Sequence, residues 1–561
     1  MKTVIVGGVA GGASAAARLR RLDERAQIVI FEKTGYISYA NCGLPYYVGG
    51  KISDRESLTL QTPESFARRF NVDVRVNCLV ESIDRALKTV TVRNLKTGEI
   101  FTERYDKLIL SPGAKPVVPE FCRGGDRVYT LRTVEDALAL KEACRSGIAT
   151  AAVIGGGFIG LETAENLTHA GLKVSLFERG EHVLATVDDE IAARIHAELA
   201  ANGIKLFTGA DTRRLGTIGD KAELELADGT VMTFDMAVVA IGVVPDSSLA
   251  AAAGLQTGTK GAIRVDTHMR TSDADIYAVG DAVEVISLPY GAPASIALAG
   301  PANKQGRIAA DNIAGIDSEY TGTQGTSVIK IFGKTVASTG LTERMLKSSH
   351  VLYEKVLLSP SSHASYYPGA SLMTIKLMYD KRTKAIAGAQ IIGEEGVDKR
   401  IDVLSTAMRA GITAPALKDL ELAYAPPYSS AKDPVNMAGF IADNIEKGIV
   451  RQFYYEDLPR LAKLSDVVLL DTRTRREYEA GHADGFINIP LDELRQRLGE
   501  LDKNKKIYVM CQSGLRSYIA TRILAQNGYD AYNFAGGYIV YKSMRDGFCN
   551  AKNAHPCGME K

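Results

Sequence analysis

Cys42 is the residue whose surroundings restrict the chemistry most. It ends the segment Ser38-Tyr-Ala-Asn-Cys42, and the five residues after it read Gly-Leu-Pro-Tyr-Tyr, so no second cysteine is close in sequence. A redox cysteine without a local partner must take its second sulfur from a substrate, or it must cycle through a sulfenic acid or a persulfide. The local sequence therefore excludes an internal dithiol and leaves these routes open.

A second cysteine has different surroundings. Cys511 begins the six-residue segment Cys-Gln-Ser-Gly-Leu-Arg, which ends at Arg516. A tight turn after a cysteine directs backbone N–H groups at its sulfur, and Arg516 adds positive charge, so the segment favours a thiolate or persulfide anion. Two separate sulfur sites predict a protein that handles sulfur.

Two glycine-rich turns predict the elements that position these cysteines. Each turn follows an apolar strand and precedes a helix and a second strand that ends in a glutamate. The second turn has the complete Rossmann pattern, whereas Val9 replaces the middle glycine of the first. The sequence therefore predicts two tandem dinucleotide-binding domains. The expected dinucleotide contacts are Gly7, Gly8, Gly11, Gly12, Glu32, Gly155, Gly157, Phe158, Ile159, Gly160 and Glu178.

Glu178 also bears on the choice of nucleotide. A carboxylate at this position accepts hydrogen bonds from ribose hydroxyls and repels a 2′-phosphate, so it favours NADH over NADPH. The neighbouring Arg179 weakens that preference and keeps NADPH possible.

Composition and charge exclude several classes of protein. The 561 residues predict three or four domains, and the net charge of +1 gives no reason to expect a nucleic-acid or membrane partner. No apolar run reaches the length of about 18 residues that a membrane span needs. Seven widely spaced cysteines predict a reducing, cytoplasmic setting. Metal-ligand spacing is absent.

Most of the chain, from residue 1 to about 445, resembles the pyridine nucleotide-disulfide oxidoreductase family. The resemblance rests on the glycine turns, the Ser111-Pro-Gly-Ala junction and the apolar strand that leads into Gly280-Asp281. The spacing Ser38-x-x-x-Cys42 is similar to the single-cysteine branch of coenzyme A-disulfide reductases, NADH oxidases and NADH peroxidases. The resemblance implies FAD at the first turn, with Cys42 against the flavin, and NAD(P)H at the second. It adds Ser111, Gly113, Gly280, Asp281 and Glu162 to the expected cofactor contacts.

One face of the first helix carries Ser14, Arg18, Arg21 and Arg25 at helical spacing. Such a face is either an ordinary solvated surface or an anion site. In the coenzyme A branch it binds substrate phosphates, with a serine and an asparagine beside the cysteine, and Ser38 and Asn41 match those positions. The arginines therefore favour coenzyme A, as substrate or bound ligand, over an oxidase.

The segment Tyr424-Ala-Pro-Pro-Tyr428, with Lys432 after it, resembles the dimerisation segment of the same branch. There, a tyrosine of the partner subunit reaches the flavin and substrate. The resemblance implies a homodimer with shared active sites, in which Tyr424 contacts the cofactor and Tyr367, Tyr428 and Lys432 contact the substrate. The simpler alternative is a packed proline loop.

The last part of the chain resembles a rhodanese domain over Leu458–Gly547. Its matching features are Leu469-Leu-Asp-Thr-Arg473, Glu477, Gly481-His482 and the Cys511 segment. A six-residue loop suits sulfur transfer, whereas the phosphatase relatives use a longer one. The resemblance implies that Cys511 is catalytic and that Arg516 contacts the substrate.

The predicted fold is α/β with four parts. We expect two Rossmann-like domains, an α+β dimerisation domain and a rhodanese-like domain. Their boundaries are expected at 1–115 with 270–322 for FAD, 116–269 for NAD(P)H, 323–447 for dimerisation and 455–548 for the rhodanese.

The resemblance implies reduction of coenzyme A persulfide, polysulfide or coenzyme A disulfide through Cys42, with Cys511 handling sulfane sulfur. One alternative is an NADH oxidase or peroxidase that uses a Cys42 sulfenic acid. Another is a sulfur-trafficking protein whose flavin half is auxiliary.

Overall fold

The structure is a computed structural model that describes residues 1–289 and 291–553, with side chains described up to residue 548. It comprises two compact units. The first combines Met1–Arg179 with Ala210–Gly325, and the second combines Gly180–Gly209 with the chain from Thr326 onward. None of the helices within the described ranges has both the length and the apolar character needed to cross a bilayer.

The first unit contains a five-stranded parallel sheet with the N-terminal strand at its centre. Its four strands other than the edge strand Asp73–Val76 contain buried apolar runs, because helices cover both faces of such a sheet. In sheet order they are Ile276–Ala278, Lys107–Leu110, Lys2–Val6, Gln27–Glu32 and Asp73–Val76. The helices that accompany them are Ala10–Leu22, Leu44–Val48, Pro63–Phe70 and Ala299–Ile313.

A second parallel sheet repeats this arrangement around the second glycine turn. In sheet order its strands in this unit are Lys173–Glu178, Thr150–Ile154, Met236–Val239 and Val128–Tyr129. Its helices are Val134–Arg145 and Phe158–His169, whereas the short helix Ser248–Ala252 packs against the core of the first sheet.

Antiparallel strands complete the first unit. Two groups have three strands each, namely Cys78–Asp84, Thr89–Asn94 and Ile100–Arg104, and Thr212–Ile218, Lys221–Leu226 and Val231–Phe234. Two antiparallel pairs are Ala114–Pro116 with Val243–Pro245 and Val283–Ser287 with Ala292–Ala294. The sequence predicts antiparallel strands throughout 72–93 and 99–110. This prediction is wrong for the first strand of the first range and for the last strand of the second range. Asp73–Val76 and Lys107–Leu110 pair in parallel with the first sheet, where the buried run Leu108–Leu110 has apolar neighbours on both faces.

The second unit is built from two sheets. The antiparallel sheet has the strand order Ser327–Ile331, Lys334–Gly340, Ile386–Gly393, Thr374–Asp380 and Tyr353–Leu358. The parallel sheet has the order Gln452–Phe453, Ala531–Phe534, Lys506–Met510, Val467–Asp471 and Ile487–Asn488. The longer helices are Asp189–Ala201, Val397–Arg409, Pro434–Glu446, Leu515–Gln526 and Tyr538–Asn553. The sequence predicts a polar link near 451–458, but Gln452–Phe453 is an edge strand paired with Asn533 and Phe534.

Lys376 is the most deeply buried ammonium group of the second unit, with 1% of its side chain exposed. Its Nζ lies 2.7 Å from Glu190 Oε2 and 2.6 Å from Glu343 Oε2, and Asp188 is 3.3 Å away. Burial alone lowers the pKa of Lys376, but the three carboxylates outweigh burial and hold its pKa above the usual value. Lys376 is therefore buried in its charged form.

Replacing Lys376 with Met should destabilise the protein by about 3–5 kcal/mol, because the buried Asp188 and Glu190 carboxylates then lose the ammonium group that pairs with them. The matched control is Lys347→Ala. Lys347 also contacts Glu343, at 3.1 Å, but its side chain is 62% exposed, and such a pair contributes about 0–1 kcal/mol. Thermal unfolding of both holoproteins measures the difference. Equal shifts in the two variants would contradict the importance of the buried cluster.

Candidate functional site

The first glycine turn brings the helix Ala10–Leu22 directly against the strand before it. Gly7 has a φ of +96°, and a Cβ on Gly12 would overlap the Gly7 carbonyl oxygen. The Gly8 N–H donates to Glu32 Oε2 at 3.0 Å, and the Thr34 N–H donates to Glu32 Oε1 at 2.9 Å. Both carboxylate oxygens are thus fixed at the strand end, with lone pairs left for ribose hydroxyls.

The second turn has the same geometry. Gly155 has a φ of +106°, and a Cβ on Gly160 would overlap the Gly155 carbonyl oxygen. Gly157 is different, because a Cβ there would meet nothing within 4 Å. The Gly156 N–H donates to Glu178 Oε2 at 2.7 Å, and Phe158 and Ile159 begin the helix. The open side of Gly157 can admit a pyrophosphate at the helix N-terminus.

The end of the strand Ile276–Ala278 carries Gly280 and Asp281. The Gly280 N–H donates to Gln305 Oε1 at 2.7 Å, and Arg132 Nη2 lies 2.9 Å from Asp281 Oδ2. Ser111 follows the adjacent strand, and Gly113 has a φ of +74°. Gln305 and Arg132 are absent from the predicted set because neither belongs to a short motif.

Cys42 lies in a single 3₁₀ turn, Asn41–Gly43, immediately before the short helix Leu44–Val48. The residue is exposed. Partial burial of its thiol and then the Glu162 carboxylate raise the pKa of Cys42, while Arg132 lowers it. Asn41 Oδ1 is buried and accepts no hydrogen bond from the described residues. The cysteine is therefore accessible but is not ionised by its own surroundings.

Glu162 forms a hydrogen-bonded pair with Tyr46. The Tyr46 hydroxyl donates to Glu162 Oε1 at 3.3 Å. Burial raises the pKa of Glu162 to about 7, and the hydrogen bond from Tyr46 opposes that rise. Tyr46 gives no sequence signal, because a tyrosine just after a cysteine is not a motif.

A cavity of about 390 Å³ lies along the first helix. Ser14, Arg18, Arg21 and Ser38 line it, as the sequence predicts for an anion site. The cavity also receives residues that lie elsewhere in the sequence, namely Gln61, Arg69, Asn303 and Arg307. These residues converge because the helices Pro63–Phe70 and Ala299–Ile313 border the same opening.

Two of the predicted basic positions differ from the expected arrangement. Arg18 is not a free cation, because its Nε donates to Asp311 Oδ1 at 2.7 Å. Arg25 lies outside the helix, which ends at Leu22, so its predicted place on the same face is wrong.

Ser38 has a left-handed backbone conformation, with φ +44°, and its N–H donates to the Gly8 carbonyl at 2.9 Å. The first turn and the Cys42 segment are therefore joined.

Four of the predicted residues lie in the second unit, on an exposed surface. Tyr424, Tyr428 and Tyr367 are 47%, 71% and 42% exposed, and Lys432 is also exposed. The buried Arg400 holds their loops, because its guanidinium donates to the carbonyls of Ser362 and Tyr428 and to the Asp433 carboxylate. Sequence reasoning missed Arg400 because nothing in the helix pattern distinguishes it from a surface arginine.

The Cys511 loop is the second candidate site. Cys511 is 1% exposed, and the Gly514 N–H and the Ser517 hydroxyl each lie 3.2 Å from its Sγ. Gly514 has a φ of +104°, which lets the loop turn into the helix Leu515–Gln526. Gly537 packs behind the loop, where a Cβ would lie 2.6 Å from the Gln512 carbonyl oxygen.

Arg516 is engaged differently from the prediction. Its Nη1 and Nη2 each lie 2.7 Å from an oxygen of Glu477, in a bidentate pair. These hydrogen bonds lower the pKa of Glu477 to about 2. The guanidinium is thus paired with a carboxylate, and the hydrogen bonds to Cys511 Sγ from the described residues come from the Gly514 N–H and the Ser517 hydroxyl.

Comparison with known proteins identifies the class. The pyridine nucleotide-disulphide oxidoreductase model matches residues 1–306, that family's dimerisation domain matches 326–434, and a rhodanese-like domain matches 455–544. The chain therefore belongs to the pyridine nucleotide-disulphide oxidoreductase family and also contains a rhodanese-like domain. The predicted fold class and the family resemblance are confirmed.

Three individual proteins are similar to this chain over most of its length. A coenzyme A disulfide reductase of Staphylococcus aureus (strain JH9) is 38% identical over 443 residues, which are 79% of this chain and 99% of that protein. The structure of reduced Bacillus anthracis CoADR-RHD is 47% identical, with a TM-score of 0.93 over 97% of this chain and 98% of that one. The structure of an NAD-dependent persulfide reductase from A. fulgidus is 37% identical, with a TM-score of 0.91, and the match covers 96% of this chain and 100% of that one.

Membership of the family implies FAD and a pyridine nucleotide as cofactors. The residues present fit both groups. Each turn places an N–H-rich helix start beside a glutamate that is fixed by a backbone N–H, and Gly157 leaves open space where a diphosphate approaches.

Gly157→Ala and Gly160→Ala should have opposite effects. A methyl group at Gly157 meets no atom, so we expect unchanged thermal stability and a Michaelis constant for NADH that rises about tenfold or more as diphosphate approach is blocked. A methyl group at Gly160 overlaps the Gly155 carbonyl, so that variant should lose stability first. Unfolding curves and NADH titrations of both proteins test this. Normal NADH binding by Gly157→Ala would contradict the assignment of this turn.

Proposed function

We propose that this chain is an FAD-dependent enzyme that uses NAD(P)H to reduce coenzyme A persulfide, polysulfide or coenzyme A disulfide at Cys42. The arginine-lined cavity beside Ser38 carries the proposal. The names of two relatives, a coenzyme A disulfide reductase and an NAD-dependent persulfide reductase, support the same substrate class.

The cavity suits the polyanionic end of coenzyme A. Arg21, Arg69 and Arg307 are exposed around it, and charge-assisted hydrogen bonds from guanidinium to phosphate are strong. Arg18 and Arg307 both pair with Asp311, at 2.7 and 3.8 Å, so their contributions are smaller than those of Arg21 and Arg69. The buried Asn41 Oδ1 has no partner among the described residues and can accept an amide N–H from the pantetheine arm.

Cys42 would hold one substrate sulfur in a mixed disulfide. When bound, FAD would accept a hydride from the nicotinamide and supply two electrons to sulfur. The electron pair cleaves the S–S bond and leaves Cys42 as a thiolate and the substrate as its thiol after one proton is taken up.

Glu178 supports NADH as the preferred reductant. Its carboxylate is fixed by the Gly156 N–H at 2.7 Å, where it would accept hydrogen bonds from ribose hydroxyls. A 2′-phosphate at the same place would be repelled by the carboxylate.

The exposed tyrosines support a homodimer with shared active sites. In this proposal, Tyr367, Tyr424, Tyr428 and Lys432 serve the site of the partner subunit, and Arg400 holds their loops in place. The five described cysteines are all unpaired, which fits work in a reducing cytoplasm.

The Cys511 loop supports a persulfide or polysulfide rather than a plain disulfide as the physiological substrate. A loop that holds a buried sulfur with an N–H and a hydroxyl suits a sulfane-sulfur carrier. A disulfide contains no transferable sulfane sulfur, so the rhodanese-like domain would have no sulfur to carry if a disulfide were the substrate.

Cys42→Ser should abolish NADH-dependent sulfide release from coenzyme A persulfide while bound FAD is retained. Serine cannot form a mixed disulfide, and losing a covalent step costs orders of magnitude in rate. Sulfide release and the FAD absorbance spectrum are measured on the same preparation. A variant that keeps more than about a tenth of wild-type turnover would exclude covalent catalysis at Cys42. Oxygen consumption by the wild type without any thiol would favour the oxidase alternative.

Arg21→Ala and Arg69→Ala should each raise the Michaelis constant for coenzyme A persulfide about tenfold, because each removes a charge-assisted phosphate contact. Inorganic polysulfide has no phosphate, so its Michaelis constant should stay unchanged. Arg25→Ala is the matched control, since Arg25 is also an exposed arginine but lies beyond the helix and does not line the cavity. Equal losses with both substrates would show that the arginines serve the fold instead.

A further inference from the structure

Ser517 is the one hydroxyl group in hydrogen-bond contact with the Cys511 sulfur among the described residues. Its side chain lies in the first turn of the helix Leu515–Gln526 and is completely buried. Its Oγ lies 3.2 Å from Cys511 Sγ and 3.1 Å from the Gly514 carbonyl oxygen. Ser517 directly follows Arg516, the last residue of the six-residue Cys511 segment.

The hydroxyl has one proton and two acceptors, so its direction depends on the charge of the sulfur. A thiolate is the stronger acceptor, because hydrogen bonds to ionised groups are stronger than neutral ones. When Ser517 donates to Cys511 Sγ, the Gly514 carbonyl can still accept from Asn533 Nδ2 at 3.5 Å. Turning the hydroxyl toward sulfur therefore leaves no buried carbonyl without a donor.

Arg516 is poorly placed for the same task. Its guanidinium is held by both oxygens of Glu477, and no hydrogen bond joins it to Cys511 in the described part of the chain. The Gly514 N–H is fixed by the backbone and donates at 3.2 Å whatever the side chains are. Among the described side chains, Ser517 is thus the one whose hydrogen bond can respond to charge on Sγ.

The position of charge changes during sulfur transfer. In a cysteine thiolate the negative charge is on Sγ, whereas in the persulfide anion it is on the outer sulfur, one bond away. When an acceptor thiolate takes the outer sulfur, the S–S bond breaks and Sγ leaves with the electron pair. A donor aimed at Sγ therefore stabilises the discharged state and the transition state that leads to it.

We propose that Ser517 is a catalytic residue of the sulfur-transfer site, which promotes release of sulfane sulfur by donating a hydrogen bond to Cys511 Sγ as the sulfur departs from it. The proposal rests on the proposed role of Cys511 as a sulfur carrier. It assigns discharge, rather than uptake, as the step that Ser517 accelerates.

The test is the equilibrium between loaded and free Cys511 in the full-length holoenzyme without NADH. Hydrodisulfide gives its outer sulfur to the Cys511 thiolate and leaves as hydrosulfide, so atoms and charge balance. The protein is equilibrated anaerobically with polysulfide and sulfide at a fixed ratio near pH 10, above the ordinary pKa range of cysteines. Mass spectrometry of the Cys511 peptide then gives the ratio of persulfide to thiol.

Ser517→Ala should raise this ratio about tenfold, because the thiolate loses one charge-assisted hydrogen bond and the persulfide does not. Release of sulfur to a thiol acceptor should slow by a similar factor, about tenfold, with uptake unslowed. Ser517→Thr keeps the hydroxyl and should stay close to wild type. Ser543→Ala is the control, since it removes a hydroxyl that donates to the Ile539 carbonyl in the same domain.

An unchanged or lowered ratio in Ser517→Ala would overturn the proposal. Equal slowing of uptake and release would also overturn it, because a distorted loop slows both and shifts neither. Wild-type protein that never acquires sulfur on Cys511 would refute the carrier role itself, and this inference with it. Cys511→Ser supplies the background for each measurement.

Discussion

Direct contact between helix and strand at each glycine turn is the constraint on which both nucleotide sites depend. At Gly12 and Gly160 the helix backbone lies so close to the turn that no side chain fits between them. This closeness points the first N–H groups of each helix at one spot beside a fixed glutamate. The Cys42 segment inherits its position from the same contact, since Ser38 is hydrogen-bonded to the Gly8 carbonyl.

The two cysteines of the sulfur sites lie in different surroundings, one exposed and one buried. Cys42 is exposed, and its surroundings favour the neutral thiol, which suits a residue that receives its electrons from outside. Cys511 is buried against an N–H and a hydroxyl, which suits a residue that must hold and then release an anion. Under the proposed function, electron transfer and sulfur storage would therefore take place on cysteines with different environments.

The sequence predicts the fold class well because glycine spacing and apolar strands are local signals. It also places Ser14, Arg18, Arg21 and Ser38 at one cavity, because helical periodicity and a short loop determine their positions. It cannot find Arg69 and Arg307, which reach the cavity from distant helices, nor the Asp311 carboxylate that engages Arg18. Arg516 illustrates the same limit, since its partner Glu477 is visible in the sequence but the pairing between them is not.

Polar groups of the rhodanese-like domain contact buried side chains of the dimerisation domain. Ser359 donates to the Gly536 carbonyl at 3.0 Å, and Lys355 Nζ lies 2.6 Å from Glu456 Oε1. Gly536 precedes Gly537, which packs behind the Cys511 loop. A gene that encoded the two domains as separate polypeptides would expose these partners to water on both sides. The rhodanese-like domain is therefore packed against its neighbour rather than tethered to it, and a substitution on either side of this contact would be felt in both domains.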